Sequence, residues 1–143
     1  MGWIQLEHNG QRIQSLCFVD QPVISPEALP EEWKDQLDGY FLRRVPLELP
    51  IELSGTPFQK EVWKKVSTIP LGKTVSYHWL ASECGGANYA RAVANANAKN
   101  PILLLVPCHR VIGVDGSLTG YAGGLSRKKQ LLSHESGQAQ LFT

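Results

Sequence analysis

The sequence predicts an α+β chain: a small N-terminal lobe with an antiparallel β-hairpin and one helix, then a mostly helical C-terminal lobe with a helix-turn-helix. Three observations carry that prediction. Two β-prone runs flank an Asn-Gly turn, a helix-capping signature follows residue 55, and two short helical patterns are separated by Gly85-Gly86. A length of 143 residues suits one core, or two small lobes that share one.

The hairpin comes from Trp3 to Leu6 and Ile13 to Val19, joined across His8-Asn9-Gly10. Pro30 then begins a helical pattern that puts Trp33, Leu37, Tyr40 and Phe41 on one face. Residues 46–53 alternate, but Pro46 and Pro50 exclude a central strand, so the segment reads as an edge strand or an extended linker. The composition breaks at Ser54-Gly55 and divides the chain into lobes 1–53 and 54–143. Thr56-Pro57-Phe58-Gln59 supplies a cap, a proline at the first helical position and a glutamine three residues after the cap. Phe58, Val62 and Val66 form that helix's buried face, with Trp63 beside it. Ser76 caps a short helix from Tyr77 to about Cys84, and Asn88 caps an alanine-rich one to about Asn97, halted by Asn100-Pro101. Pattern alone leaves this pair open between a nucleic-acid-binding helix-turn-helix and a plain helical hairpin. Gly113 to Gly124 is a glycine-rich loop without the lysine pattern of a phosphate cradle. The last helix, Ser126 to about His134, turns Leu131 and Leu132 inward and Arg127, Lys128 and Lys129 outward.

Composition narrows the function classes. No run of about eighteen apolar residues is present, so no membrane span is expected. The opening Met1–His8 alternates and carries a charge, unlike a secretory signal. Three widely spaced cysteines argue against a disulfide framework and for a reducing compartment. Cys84 reads as a small core residue, and Cys17 has only His8 nearby, so no metal site is expected. The net charge of +1 hides an asymmetry: residues 1–53 carry nine acids and four bases, residues 54–143 four acids and ten bases. A polyanionic partner for the second half and a basic solvated face account for this equally well.

The most chemically loaded stretch is Leu105-Val106-Pro107-Cys108-His109-Arg110-Val111. A thiol with a pKa of roughly 8.5 becomes a strong nucleophile only where a basic or cationic neighbour favours the thiolate. Cys108 beside His109 is therefore a candidate for covalent chemistry, although a lone Cys-His pair is more often a buried cysteine and a solvated histidine. On an extended chain the two side chains would point to opposite faces. Either the chain bends there or a water bridges them. Upstream, Ala90, Ala92, Ala94, Ala96 and Ala98 leave a helix surface with little bulk, from which Arg91 stands out to reach a groove or stack on a base.

Taken in order, the motifs add up to a resemblance. Gly55-Thr56-Pro57-Phe58-Gln59 with Val62-Trp63, Val75-Ser76-Tyr77, Ala90-Arg91-Ala92-Val93, Asn100-Pro101, Pro107-Cys108-His109-Arg110-Val111, Tyr121-Ala122-Gly123-Gly124-Leu125 and Glu135 follow the order and spacing of the O6-alkylguanine-DNA alkyltransferases, the suicide repair proteins for O6-methylguanine. The resemblance covers roughly residues 55–135, and the acidic first lobe matches loosely. It implies Cys108 as the alkyl acceptor, His109 as its base, Glu135 as the group that orients the imidazole, and Asn100 as the brace of the active-site turn. Tyr77 would donate to the departing guanine and crowd the DNA backbone, and Arg91 would fill the vacated stack. Arg91, Tyr77, His78, Ala92, Ala94, Asn95 and Lys99 would face DNA. Backbone at Cys108, Val111 and Ala122 would read the flipped base, with Tyr121 and Leu103 lining its pocket. Two departures stand out: Ala94 and Asn95 occupy positions where glycine is common, and Leu103 a position where some relatives have proline.

The implied activity is stoichiometric, irreversible transfer of an alkyl group from O6-alkylguanine in double-stranded DNA, or from O4-alkylthymine, to Cys108. The resemblance implies no cofactor and no membrane partner, a monomer in solution, and a cytoplasmic location, nuclear in a eukaryote. Three rivals remain at this point: a non-enzymatic recognition module of the alkyltransferase-like type, a cysteine hydrolase built on Cys108, His109 and Glu135, and a helix-turn-helix transcription factor. The acceptor Cys108 argues against the first, and the adjacency of Cys108 and His109 fits poorly with the second.

Overall fold

A computed structural model describes residues 1–22 and 29–137. Strands β1 (Trp3–His8) and β2 (Ile13–Val19) pair antiparallel, with Leu6 opposite Leu16 and an irregularity between Glu7 and His8. The turn is held by the Asn9 side chain, whose Oδ1 accepts from the Gln11 and Arg12 amides at 3.0 and 2.8 Å, while Gly10 takes a φ of 91°. Helix α1 (Glu31–Arg43) buries Trp33, Leu37 and Tyr40. Pro30 lies just outside it, at the cap position, and Phe41 is only half-buried.

The outer edge of β2 joins the two halves of the chain. Ile13 donates to Pro50 O and accepts from Glu52 N, both at 2.8 Å, so residues 46–53 run as an extended linker along that edge. Further along β2, Leu16 donates to Pro101 O and accepts from Leu103 N, both at 3.0 Å. An otherwise open strand edge is thereby covered by the stretch that leads to Cys108.

Helix α2 (Pro57–Val66) starts at the expected capping box. Gln59 N donates to Thr56 Oγ1 (3.1 Å), and Gln59 Oε1 accepts from Thr56 N (3.0 Å). Val62, Trp63 and Val66 are its buried residues, whereas Phe58 is half-buried and stacks on Tyr89. The Trp63 indole N–H donates to Ala96 O at 2.8 Å, pinning α2 to α4 (Ala90–Ala98). Ser76 caps α3 (Tyr77–Glu83) by accepting from Trp79 N, with Cys84 buried at its end.

One cap expectation is corrected. Asn88 does not cap α4; it sits inside a 3₁₀ turn, Ala87–Tyr89, which leads into α4 from Gly86 at a φ of 125°. The two glycines let the chain reverse sharply, and the turn continues into the helix without a side-chain cap. A second addition is a two-residue parallel ladder, β3 (Val75–Ser76) with β4 (Val111–Ile112), which seats the chain just after Cys108 beside the start of α3.

Helix α5 (Leu125–Ser136) closes the fold. Ile13 and Leu16 from the first lobe and Val62, Leu80, Val93, Ile102, Val106, Val111 and Leu131 from the second are fully buried in one cluster. No helix among the described residues is long and apolar enough to cross a membrane. Thr56→Ala removes one half of the capping box, and the expected cost is about 1 kcal/mol, read as a lower urea midpoint at unchanged slope.

Candidate active site

Asn100 shapes the approach to Cys108. Its Oδ1 accepts from Ile102 N (2.9 Å) and its Nδ2 donates to Val106 O (2.7 Å), clamping both ends of a short loop. Leu104 within that loop has a φ of 69°, a left-handed conformation costing an L-residue about 1–2 kcal/mol. Bonds from Leu105 N to Leu103 O and from Val106 N to Ile102 O hold it there. Pro107, at φ −81° and ψ 61°, centres a three-residue turn closed by Cys108 N on Val106 O at 2.8 Å. A 3₁₀ turn, Cys108–Arg110, follows at once. Of the two arrangements open for Cys108 and His109, a bend is therefore present.

The bend sends three neighbouring side chains inward together: Cys108, His109 and Arg110 are all buried. His109 Nε2 lies 2.7 Å from Glu135 Oε2. Arg110 adds Nε to Glu135 Oε1 (2.7 Å) and Nη2 to Oε2 (3.0 Å), with Nη1 on Ile69 O (2.7 Å). The Tyr40 hydroxyl of α1 donates to the same Glu135 Oε2 at 2.6 Å. Burial would raise the Glu135 carboxyl, but the hydrogen bonds from His109 and Arg110, with the Arg110 charge, outweigh it and hold the group at about 2. An ionised carboxylate only accepts, so neutral His109 carries its proton on Nε2 and leaves Nδ1 as the bare basic nitrogen. Among the described residues, no group hydrogen-bonds that Nδ1. Burial lowers the His109 pKa, against the opposing pull of Glu135.

Burial pushes the Cys108 thiol up to about 11, against the Asn100 amide and the Lys128 charge, which favour the thiolate. The thiol is thus protonated at neutral pH and needs a base. Asn97, also buried, donates from Nδ2 to Cys108 O at 3.3 Å.

Lys128 corrects the sequence expectation. It was expected on the outer face of the last helix, yet it is 1% exposed, with Nζ on Val111 O (2.6 Å) and Thr119 O (2.8 Å). Its spacing of three from Leu131 and seven from Glu135 puts all three on one face of α5, and that period was the available signal. Burial lowers its pKa to about 8, opposed by Cys108. Tyr77 shares the same acceptor, donating to Thr119 O at 3.1 Å, and burial raises its phenol. On the same helix face Leu132 is only half-buried.

Among the other expected residues, Leu103, Val111 and Tyr121 are buried in the same apolar cluster as Cys108, and the Tyr121 ring meets His109 edge-on with centroids 6.2 Å apart. Ala122 is exposed. On α3 and α4, His78, Arg91, Ala92, Asn95 and Lys99 are exposed and Tyr77 and Ala94 are half-buried.

Residues 57–137, which include every one of these side chains except Tyr40, match the model of the 6-O-methylguanine DNA methyltransferase DNA-binding domain. The chain belongs to that family. A methylated-DNA–protein-cysteine methyltransferase of Shigella flexneri is 50% identical over 108 residues, 74% of this chain and 63% of that one. The chain therefore matches just under two thirds of that relative's length. The crystal structure of Mycobacterium tuberculosis O6-methylguanine methyltransferase superposes with a TM-score of 0.85 at 39% identity, covering 97% of this chain and 89% of that one. The structure of the M. tuberculosis OGT in complex with DNA gives 0.83 at 40%, covering 95% and 88%. The first lobe, outside the family model, is thus included in the structural match.

The buried carboxylate predicts an acid-sensitive fold. Glu135 has a depressed folded pKa, so its contribution is present above its ordinary value of 4.5 and is lost as pH falls toward about 2. His109, kept neutral by burial, destabilises the fold in the same direction once pH falls below 6.5, where the unfolded chain takes up the proton first. Urea midpoints are expected to fall from pH 7 to pH 4 and further below. Glu135→Leu leaves the Arg110 guanidinium buried without its partner and is expected to cost about 3–5 kcal/mol in the same assay.

Proposed function

We propose that the chain repairs O6-alkylguanine in double-stranded DNA by transferring the alkyl group to Cys108, once per molecule. The observation that carries this reading is a buried thiol next to a histidine whose Nε2 is held by an ionised carboxylate and whose Nδ1 is left open, inside the span that matches the family model. The methylated-DNA–protein-cysteine methyltransferase relative and the M. tuberculosis complex with DNA support the same substrate class.

Each side chain has work that follows from its geometry. His109 Nδ1 takes the Cys108 proton through one bridging water, and Glu135 stabilises the imidazolium through Nε2–H. The thiolate attacks the alkyl carbon, the S–C bond forms as the C–O6 bond breaks, and the electron pair stays on the guanine. Tyr77, kept protonated by burial, is the donor that meets this charge. In the net reaction the thiol proton is exchanged for the alkyl group, and guanine regains its ring proton. The product thioether has no return path, so the protein is consumed.

The alkyl group is unreachable inside a duplex, so the base must be extruded at a cost of a few kcal/mol, lower for a poorly paired lesion. The exposed Arg91 fills the gap from a helix face of small residues, with His78, Ala92, Ala94, Asn95 and Lys99 against the backbone. Val111, Tyr121, Ala122 and Leu103 receive the base, and O4-alkylthymine presents the same kind of alkyl ether. One chain holds all of these groups, so a monomer suffices, and it works where the chromosome is, in the cytoplasm or in a nucleus. The reacting thiol disfavours the non-enzymatic recognition reading.

Incubation with an O6-methylguanine duplex is expected to add one CH₂ to the Cys108 peptide by mass spectrometry. Cys108→Ala should abolish that gain and still bind alkylated duplex; no gain on the parent's Cys108 sinks the reading. Arg91→Ala should slow transfer on duplex by roughly tenfold or more while single-stranded substrate reacts at the parent's rate, because only the duplex requires a few kcal/mol of extrusion. Equal duplex rates remove Arg91 from the mechanism.

A further inference from the structure

Among the described residues, the Glu135 carboxylate has four donors. Arg110 Nε occupies Oε1, while Arg110 Nη2, His109 Nε2 and the Tyr40 hydroxyl converge on Oε2. Four is about what an ionised carboxylate can accept. Three of these donors lie next to Cys108 in sequence. The fourth comes from α1, ninety-five residues before Glu135 and outside the matched span.

We propose that Tyr40 is a positioning residue for alkyl transfer: its hydroxyl fixes the Glu135 oxygen that holds the His109 Nε2–H, so the first lobe decides where the His109 lone pair points. This rests on the repair reading given above. The phenol must donate here, because its partner is an acceptor only. Tyr40 is 1% exposed, so the bond is shielded from bulk solvent. The ring cannot drift either. It lies edge-on to Phe41 and to His134 at centroid distances of 4.9 and 5.3 Å, and His134 Nε2 donates to the Tyr40 carbonyl at 2.7 Å, tying α1 to α5 beside Glu135.

Two consequences follow from removing the hydroxyl alone. The carboxylate loses one of the four bonds that stop it turning, so Nε2–H is held less firmly and the reacting geometry loosens. It also keeps more charge on Oε2, which draws a proton onto His109 at higher pH. The charged and titratable groups around this pair are Arg110 in the 3₁₀ turn, Lys128 and His134 on α5, Tyr121 in the loop before it, and Cys108. All of them stay in place in Tyr40→Phe, which preserves the ring.

The test compares the parent, Tyr40→Phe, Glu135→Gln and the double variant. The transfer rate from a preformed complex with O6-methylguanine duplex is measured against pH. DNA affinity, melting temperature and the ¹⁵N NMR titration of His109 in the free protein accompany it. In Tyr40→Phe the plateau rate should fall roughly threefold to tenfold, the scale of one typical net hydrogen bond. The acid limb and the His109 titration should rise by roughly half a pH unit, with DNA affinity unchanged. In the Glu135→Gln background the same change should have little further effect on rate or titration, since the hydroxyl acts through the carboxylate. A Tyr40→Phe protein with a lower melting temperature but the parent's pH profile and His109 titration would show that Tyr40 only packs, overturning the proposal. So would a full additional loss in the Glu135→Gln background. A parent that transfers nothing defeats the repair reading instead, and the His109 titration still decides whether Tyr40 acts on the histidine.

Discussion

A single buried carboxylate organises this molecule. Glu135 is drawn out of water late in the chain, and it stays ionised because donors from α1 and the 3₁₀ turn surround it. An isolated carboxylate in such a place would cost many kcal/mol, so the surrounding groups are fixed by the same requirement that fixes Glu135. The tautomer of His109 then follows without further assumption. So does the burial of Arg110, whose guanidinium is shared between Glu135 and the Ile69 carbonyl.

The thiol is set by the backbone rather than by the histidine. Asn100 clamps a short loop, Leu104 is held left-handed inside it, and Pro107 turns the chain so that Cys108 and His109 both point inward. Bent in this way, the segment is supported on one side by β2 through Leu16 and on the other by β4 through its ladder with β3. Lys128 completes the frame by holding the Val111 and Thr119 carbonyls, and Tyr77 leans on the second of them. The Cys108 segment therefore sits between β2 and β4, while Arg91 remains exposed on α4.

Much of this was legible in the order of residues. The Asn-Gly turn, the Thr56–Gln59 capping box, the Ser76 cap and the Gly85-Gly86 break are local signals, each with a partner within four residues. The Cys108-His109-Arg110 triplet also stood out as a candidate, because a thiol beside an imidazole and a guanidinium is a pattern nucleophile chemistry can use. The misses have local causes too. Asn88 carries a good cap side chain, but the preceding glycines place it in a 3₁₀ turn, where no free helix start awaits it. Lys128 was assigned by charge when its helical period pointed inward; a lysine is buried when two carbonyls take its protons, and neither carbonyl is near it in sequence.

By itself the sequence determined most of the helices, the hairpin and the adjacency of a thiol, an imidazole and a guanidinium, since propensity, capping and covalent order act over a few residues. Only the tertiary structure decided which nitrogen of His109 is basic, that Lys128 faces inward, and that Tyr40 reaches Glu135. Those outcomes depend on which donors meet one buried acceptor, and burial is a property of the packed chain.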